Sequence, residues 1–176
     1  MDVKSYYNIA FKGLGQGKHH FDYKVDHTFF ARFEGSMVDD GEVDVNVVLE
    51  KQSSLLILWF TIKGYVTIQC DRCLDMYTQP IQTEQKVFVK FGEDSKDDGD
   101  DVVWVSTNDY QLNIAQLIYE FISLAMPIKH VHPEGPDGKT SCNPDMIEKM
   151  KKHVVREKGE SHDARWDELK KLIDNK

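Results

Sequence analysis

The apolar residues of this chain change rhythm once, from a period of two to a period between three and four. Val43, Val45, Val47 and Leu49 alternate with Glu42, Asp44, Asn46 and Glu50, which predicts a strand with one wet face. The Gln52-Ser53-Ser54 turn leads into Leu55 to Ile68, where Leu55, Ile57 and Trp59 interleave with Leu56, Leu58 and Phe60. Apolar residues on both parities predict a central strand covered on two sides, with Gly64 as a bulge or bend. Ile81 to Phe91 reads as a further strand, Glu93 to Asp101 as an acidic loop and Val102 to Val105 as a final short strand. Upstream, Ser5 to Phe11 is a candidate first strand, and Gly13, Gly15 and Gly17 break the chain into a turn. His20, Asp22 and Lys24 alternate with Phe21, Tyr23 and Val25 in a second strand. Asp26 to Glu34 predicts a short helix, capped by Asp26 and carrying Phe29, Phe30 and Phe33 on one side.

Helical spacing then takes over. Ile114, Leu117, Ile118, Phe121, Ile122 and Ala125 share one face and stop before Pro127. Asn143 and Pro144 have the form of a cap followed by proline at the first helical position, and Asp145 and Glu148 suit the positive end of the dipole. That helix aligns Met146, Ile147, Met150 and Val154; beyond Gly159, Asp163 to Ile173 aligns Trp166, Leu169 and Ile173. Strands first and helices later predict an α+β fold. Its sheet is expected to be mainly antiparallel, with strong curvature or a barrel-like form open to it, a packed apolar helix and C-terminal helices. The expected division is a core domain over residues 1–140 and a helical appendage over residues 141–176.

Composition narrows the function classes. Of the 176 residues, 40% are apolar, enough for a core, and the net charge is −8. The longest apolar run, Leu55 to Phe60, is far short of the ~20 residues a membrane span needs. Asp2, Lys4 and Asn8 interrupt the N-terminus, so a signal peptide is not expected and a cytoplasmic protein without membrane contact is. Tight non-specific nucleic-acid binding draws on lysine and arginine, so RNA contact by an acidic chain needs a local basic patch or a protein intermediary. Basic residues gather at Lys149, Lys151, Lys152, Arg156 and Lys158, and again at Lys170 and Lys171. They are either the solvated face of an amphipathic helix or a footprint for RNA or an acidic partner.

The sharpest local motif is Cys70-Asp71-Arg72-Cys73. Two thiolates at this spacing can chelate one zinc from a tight turn, but a closed structural site needs four ligands. Cys142 is a candidate third ligand, with His130 or His132 completing a tetrahedron; the other reading is reduced cysteines at a hairpin end. A redox role fits less well, because a thioredoxin-type pair opens a helix after a strand. Here a strand pattern follows. Asp94, Asp98 and Gly99 do not make a calcium loop, because Lys96 and Val105 stand where oxygen ligands are required. Gly13, Gly15 and Gly17 do not complete a dinucleotide fingerprint. His19, His20 and His153 read as surface residues. A small metal-dependent enzyme would need a general base, for which Glu120 and Glu134 are candidates by sequence proximity alone. No catalytic residue is assigned.

An ordered set of segments gives a further indication. The strand end Gly64-Tyr65-Val66-Thr67-Ile68-Gln69-Cys70-Asp71-Arg72-Cys73-Leu74 is followed by the apolar helix Ile114 to Ala125. That helix runs into Met126-Pro127-Ile128-Lys129-His130-Val131-His132-Pro133, and Asp163-Ala164-Arg165-Trp166-Asp167-Glu168-Leu169-Lys170-Lys171-Leu172 closes the series. Together these segments resemble the YceD family of large ribosomal RNA subunit accumulation proteins, most closely the version of Bacteroides-type bacteria. The resemblance implies a non-enzymatic role in 23S ribosomal RNA accumulation or processing and in large-subunit assembly. The implied partners are precursor large-subunit rRNA, ribosomal proteins or an RNA-processing enzyme. An alternative is an acidic protein-binding regulator of an RNA-degrading enzyme. Some relatives carry additional cysteines after the Met-Pro position, where this chain has Cys142 alone.

Overall fold

The computed structural model describes residues 6–92, 101–135, 138 and 140–153. Its framework is one mixed sheet in the order β2-β3-β4-β5-β6. These strands are β2 (Gly17–Val25), β3 (Val38–Lys51), β4 (Leu55–Gln69), β5 (Met76–Phe91) and β6 (Val102–Val105). All neighbours are antiparallel except β5 and β6, which run parallel. A second, two-stranded ladder pairs β1 (Asn8–Ile9) with β7 (Leu112–Asn113). The expected α+β class with a mainly antiparallel sheet is therefore present. The barrel-like variant is not: β2 and β6 remain the two ends of an open sheet.

Period-two patterning sets which face is dry. Val45, Val47 and Leu49 on β3 pair with Ile62, Phe60 and Leu58 on β4, Val43 and Leu56 extend the same face, and all are buried. Near the start of β3, the register shifts between Val38 and Asp40. The extra residue, Asp39, returns Val38 to the buried side opposite Ile68; without it, Val38 would face the wrong way.

Two helices cover this face. α1 (His27–Phe30) is shorter than expected, and turns continue it to Phe33. Asp26 caps it by accepting from the Thr28 amide at 2.9 Å, while Phe29 and Phe30 are buried. α2 (Ala115–Ala125) buries Ile118 and Ile122 and sets Phe121 edge-on to Phe60, with ring centroids 5.1 Å apart. It stops at Met126, where the following proline excludes a helical backbone.

Four local expectations are corrected. The first strand is only Asn8–Ile9, with a 3-10 turn at Phe11–Gly13, since Gly13 and Gly15 follow at once. Val102–Val105 is not the last strand, because β7 follows. The second face of β4 is not buried: Leu55, Ile57 and Trp59 are half-exposed. Gly64 is neither bulge nor bend, for pairing runs through it to Val43 and Ile81. Glycine is required there by close approach instead: a Cβ would sit 2.7 Å from the Val43 Cα.

The chain divides into two compact units, Met1–Cys142 and Asn143–Lys176. In the second, α3 (Pro144–His153) begins as the cap pattern predicts: the Asn143 side-chain oxygen accepts from the Asp145 amide at 3.1 Å. The expected acidic loop, apart from Asp101, and the expected last helix over Asp163 to Ile173 lie outside the described residues.

Candidate functional site

The turn between β4 and β5 holds Cys70 and Cys73. It closes through two backbone bonds, Cys70 N–H to the Asp75 carbonyl and Leu74 N–H to the Cys70 carbonyl, both 2.9 Å. Leu74 adopts a left-handed backbone with φ of 65° to complete it, which costs about 1–2 kcal/mol in a side-chain-bearing residue. The turn is tied to a distant segment by a reciprocal exchange. Asp71 N–H donates to the His130 carbonyl at 2.6 Å, and His130 N–H donates to the Asp71 carboxylate at 2.8 Å. This latch delivers the residues after α2 to the cysteines. Thr140 adds a second link, since its hydroxyl oxygen accepts from the Arg72 guanidinium at 3.5 Å and from the Cys142 amide at 3.2 Å.

The outcome is a cluster of Cys70, Cys73, His132 and Cys142 whose ligand atoms all lie within 4.8 Å of one another. Cys70 Sγ is 3.8 Å from Cys142 Sγ, and Cys73 Sγ is 3.4 Å from His132 Nδ1. A tetrahedral zinc with bonds of about 2.3 Å to sulfur and 2.0–2.1 Å to nitrogen sets S···S edges near ~3.8 Å and S···N edges near ~3.6 Å. The donor set and its spacing fit that ion. All three cysteines are buried and none is in a disulfide.

Electrostatics favour the thiolate form at Cys70. Burial pushes its thiol up, but amide donors from Cys73, Arg72 and His132, with the His132 side chain, outweigh burial and bring it down to about 6. The Arg72 amide lies 3.4 Å from that sulfur. Tyr77 packs beside His132 with ring centroids 5.0 Å apart, and its hydroxyl is pushed up by burial and by the neighbouring Cys70 and Asp71 charges.

Of the two histidines open in the sequence, His132 joins the cluster. His130 turns its backbone to Asp71, and its ring nitrogen stands 3.9 Å from the same carboxylate. Glu120 is exposed and accepts from Gln116 at 2.8 Å, and Glu134 is exposed on a bridge to Thr140. His20 and His153 are exposed, whereas His19 is half-buried with its ring on the Gly15 carbonyl at 2.9 Å. Lys149, Lys151 and Lys152 are exposed on α3, where Lys152 pairs with Glu148 at 2.7 Å. Arg156, Lys158, Lys170 and Lys171 lie outside the described residues. The latch residues Asp71 and Thr140, and the ring of Tyr77, were missed by the sequence reading. The one available signal was a carboxylate placed inside the CxxC turn.

No helix among the described residues is long and apolar enough to cross a membrane. No curated protein and no solved structure matches the chain. The family model described as "Large ribosomal RNA subunit accumulation protein YceD" matches residues 58–173. That span takes in the cysteine turn, α2, His132 and Cys142 and covers more than half of the chain, which therefore belongs to the YceD family.

Proposed function

We propose that this protein supports accumulation of 23S ribosomal RNA and assembly of the large ribosomal subunit as a cytoplasmic, non-enzymatic binding factor. The observation that carries this reading is the family match over residues 58–173. Binding is favoured over catalysis because Cys70, whose thiol is brought down to about 6, is buried among the other three residues of the cluster. In this reading Cys70, Cys73, His132 and Cys142 hold a structural zinc that staples the β4–β5 turn to the segment after α2. The partners are precursor large-subunit rRNA and ribosomal proteins, with the basic residues Lys149, Lys151, Lys152, Arg156, Lys170 and Lys171 available to phosphate groups.

Deleting the gene and quantifying mature 23S RNA tests the role, and a loss of large subunits is expected. Unchanged 23S levels, or a pull-down that recovers an RNA-degrading enzyme without ribosomal precursors, would overturn it.

A further inference from the structure

The outer face of the sheet separates its charges along the strands. Directly paired residues on neighbouring strands share a face, so the register lays out this surface in rows. One row runs Asp22, Asn46, Thr61, Glu84, and the next runs Lys24, Asp44, Lys63, Gln82. Both are polar; the first carries only negative charge and the second is of mixed sign. Toward the β3–β4 turn the composition changes. His20, Val48, Trp59 and Lys86 form one row; Lys18, Glu50, Ile57, Phe88 and Val102 form the next; and Lys90 pairs with Leu55 and Trp104 beyond them.

At this end each large ring has an ammonium group over it. Lys18 Nζ and Lys86 Nζ stand 5.7 and 5.6 Å from the Trp59 ring, Lys86 also lies 4.5 Å from Phe88, and Lys90 is 5.6 Å from Trp104. Trp59, Phe88 and Trp104 are half-exposed rather than sealed, and flexible lysine stems lie over their rings. Three lysines are gathered around three rings at this end, with Glu50 in the Lys18 row, Asp101 next to Val102, and the acidic stretch 93–101 joining β5 to β6.

We propose that this aromatic and lysine-rich end of the sheet is a stacking platform for unpaired RNA bases. The proposal rests on the rRNA reading above and names the chemical form of RNA that the chain takes. Two requirements of single-strand binding meet here: flat rings on which bases stack, and cations spaced between them for the phosphates. Duplex RNA meets only the second, because its bases are already stacked and its grooves do not admit these rings. Lysines resting on the rings move aside to the backbone when a base takes their place, so the cation–π contacts are the resting state of the same surface.

The test uses the full-length protein with a fluorescently labelled single-stranded RNA decamer, and the same sequence annealed as a duplex. Single strands are expected to bind and duplex to bind at least tenfold more weakly. Trp59→Ala is expected to weaken single-strand binding about tenfold, and Trp59→Phe to restore it to within about threefold, since the phenyl ring still stacks. Lys86→Ala, at an exposed position, is expected to lower the slope of log affinity against log salt by about 0.7. Absent single-strand binding, equal duplex binding, or unchanged affinity in both Trp59→Ala and Lys86→Ala overturns the platform. The wider role is scored separately in a deletion strain. If loss of the gene depletes 23S RNA and the Trp59→Ala protein restores it fully, the rRNA role stands and the platform falls.

Discussion

At its Gln69 end, β4 runs into a turn whose polar groups are nearly all spoken for within the chain. The amides of Cys70, Asp71, Arg72 and Leu74 each donate to a carbonyl or to sulfur, and three buried cysteines converge with a half-buried histidine. At its Leu55 end, the same strand presents Leu55, Ile57 and Trp59 half-covered, with the Lys18 and Lys86 chains over the Trp59 ring. From Trp59 to Cys70 the strand extends about 35 Å. One end is built to be closed, the other to be open. The difference teaches that a single apolar run does two jobs: its even-numbered residues make core along the whole length, while its odd-numbered residues near Leu55 make surface.

The largest effect should come from unlocking the closed end. If zinc occupies the four-ligand cluster at about a thousandfold over its dissociation constant, it stabilises the fold by about 4 kcal/mol. For a domain of this size that is about 8–16 °C in Tm. A strong chelator should lower the Tm of the wild-type chain by that amount and leave a Cys73→Ser variant, already low in metal and in Tm, unmoved. Metal analysis should find about one zinc per wild-type chain and almost none in the variant. Single-strand RNA affinity should survive, because the platform lies at the far end of β4. A chelator that leaves the Tm of the wild type unchanged would reduce the closed end to ordinary thiols.

Adjacent residues of β4 give the next contrast. Leu58 is fully buried and Trp59, one residue on, faces outward. Leu58→Ala should cost about 2–5 kcal/mol in urea unfolding, through lost burial and the cavity left behind. Trp59→Ala, the larger truncation by volume, should cost about 1 kcal/mol or less. Equal costs would mean that the outer face is core after all, and the contrast between the two ends would break.

How far these features could be read in advance follows from their range in sequence. The alternation of Val43 to Leu49 was legible because a half-buried strand writes its two faces as two letter classes. β4 misled for the same reason in reverse. Apolar letters at Ile57 and Trp59 imply burial, yet both are half-exposed, and the surface over Trp59 is built from Lys18 on β2 and Lys86 on β5, which a pattern count scores as polar. The CxxC is a local motif and stood out at once. Cys142 is 72 positions from Cys70, and no local rule decides between His130 and His132. The choice is made by the Asp71–His130 latch, which exists only once α2 has packed.

Gly64 lies between the two ends and offers a smaller expected effect than Leu58. It sits on the buried parity of β4, where Val66 and Ile68 continue the core toward the cysteines. Its strand neighbours are so near that an added Cβ meets the Glu42 carbonyl and comes within 2.7 Å of the Val43 Cα. These are backbone atoms held by the β3–β4 ladder, so they cannot swing aside as a side-chain tip would. Alanine is therefore expected to part the strands locally and cost about 1–3 kcal/mol, despite its better fit to a strand in general. If the ladder transmits strain between the ends, Gly64→Ala should lower both zinc retention and RNA affinity. If β4 serves two independent ends, stability should fall while both binding constants hold, and the second outcome is the one expected from a sheet whose closed and open ends share only a spine.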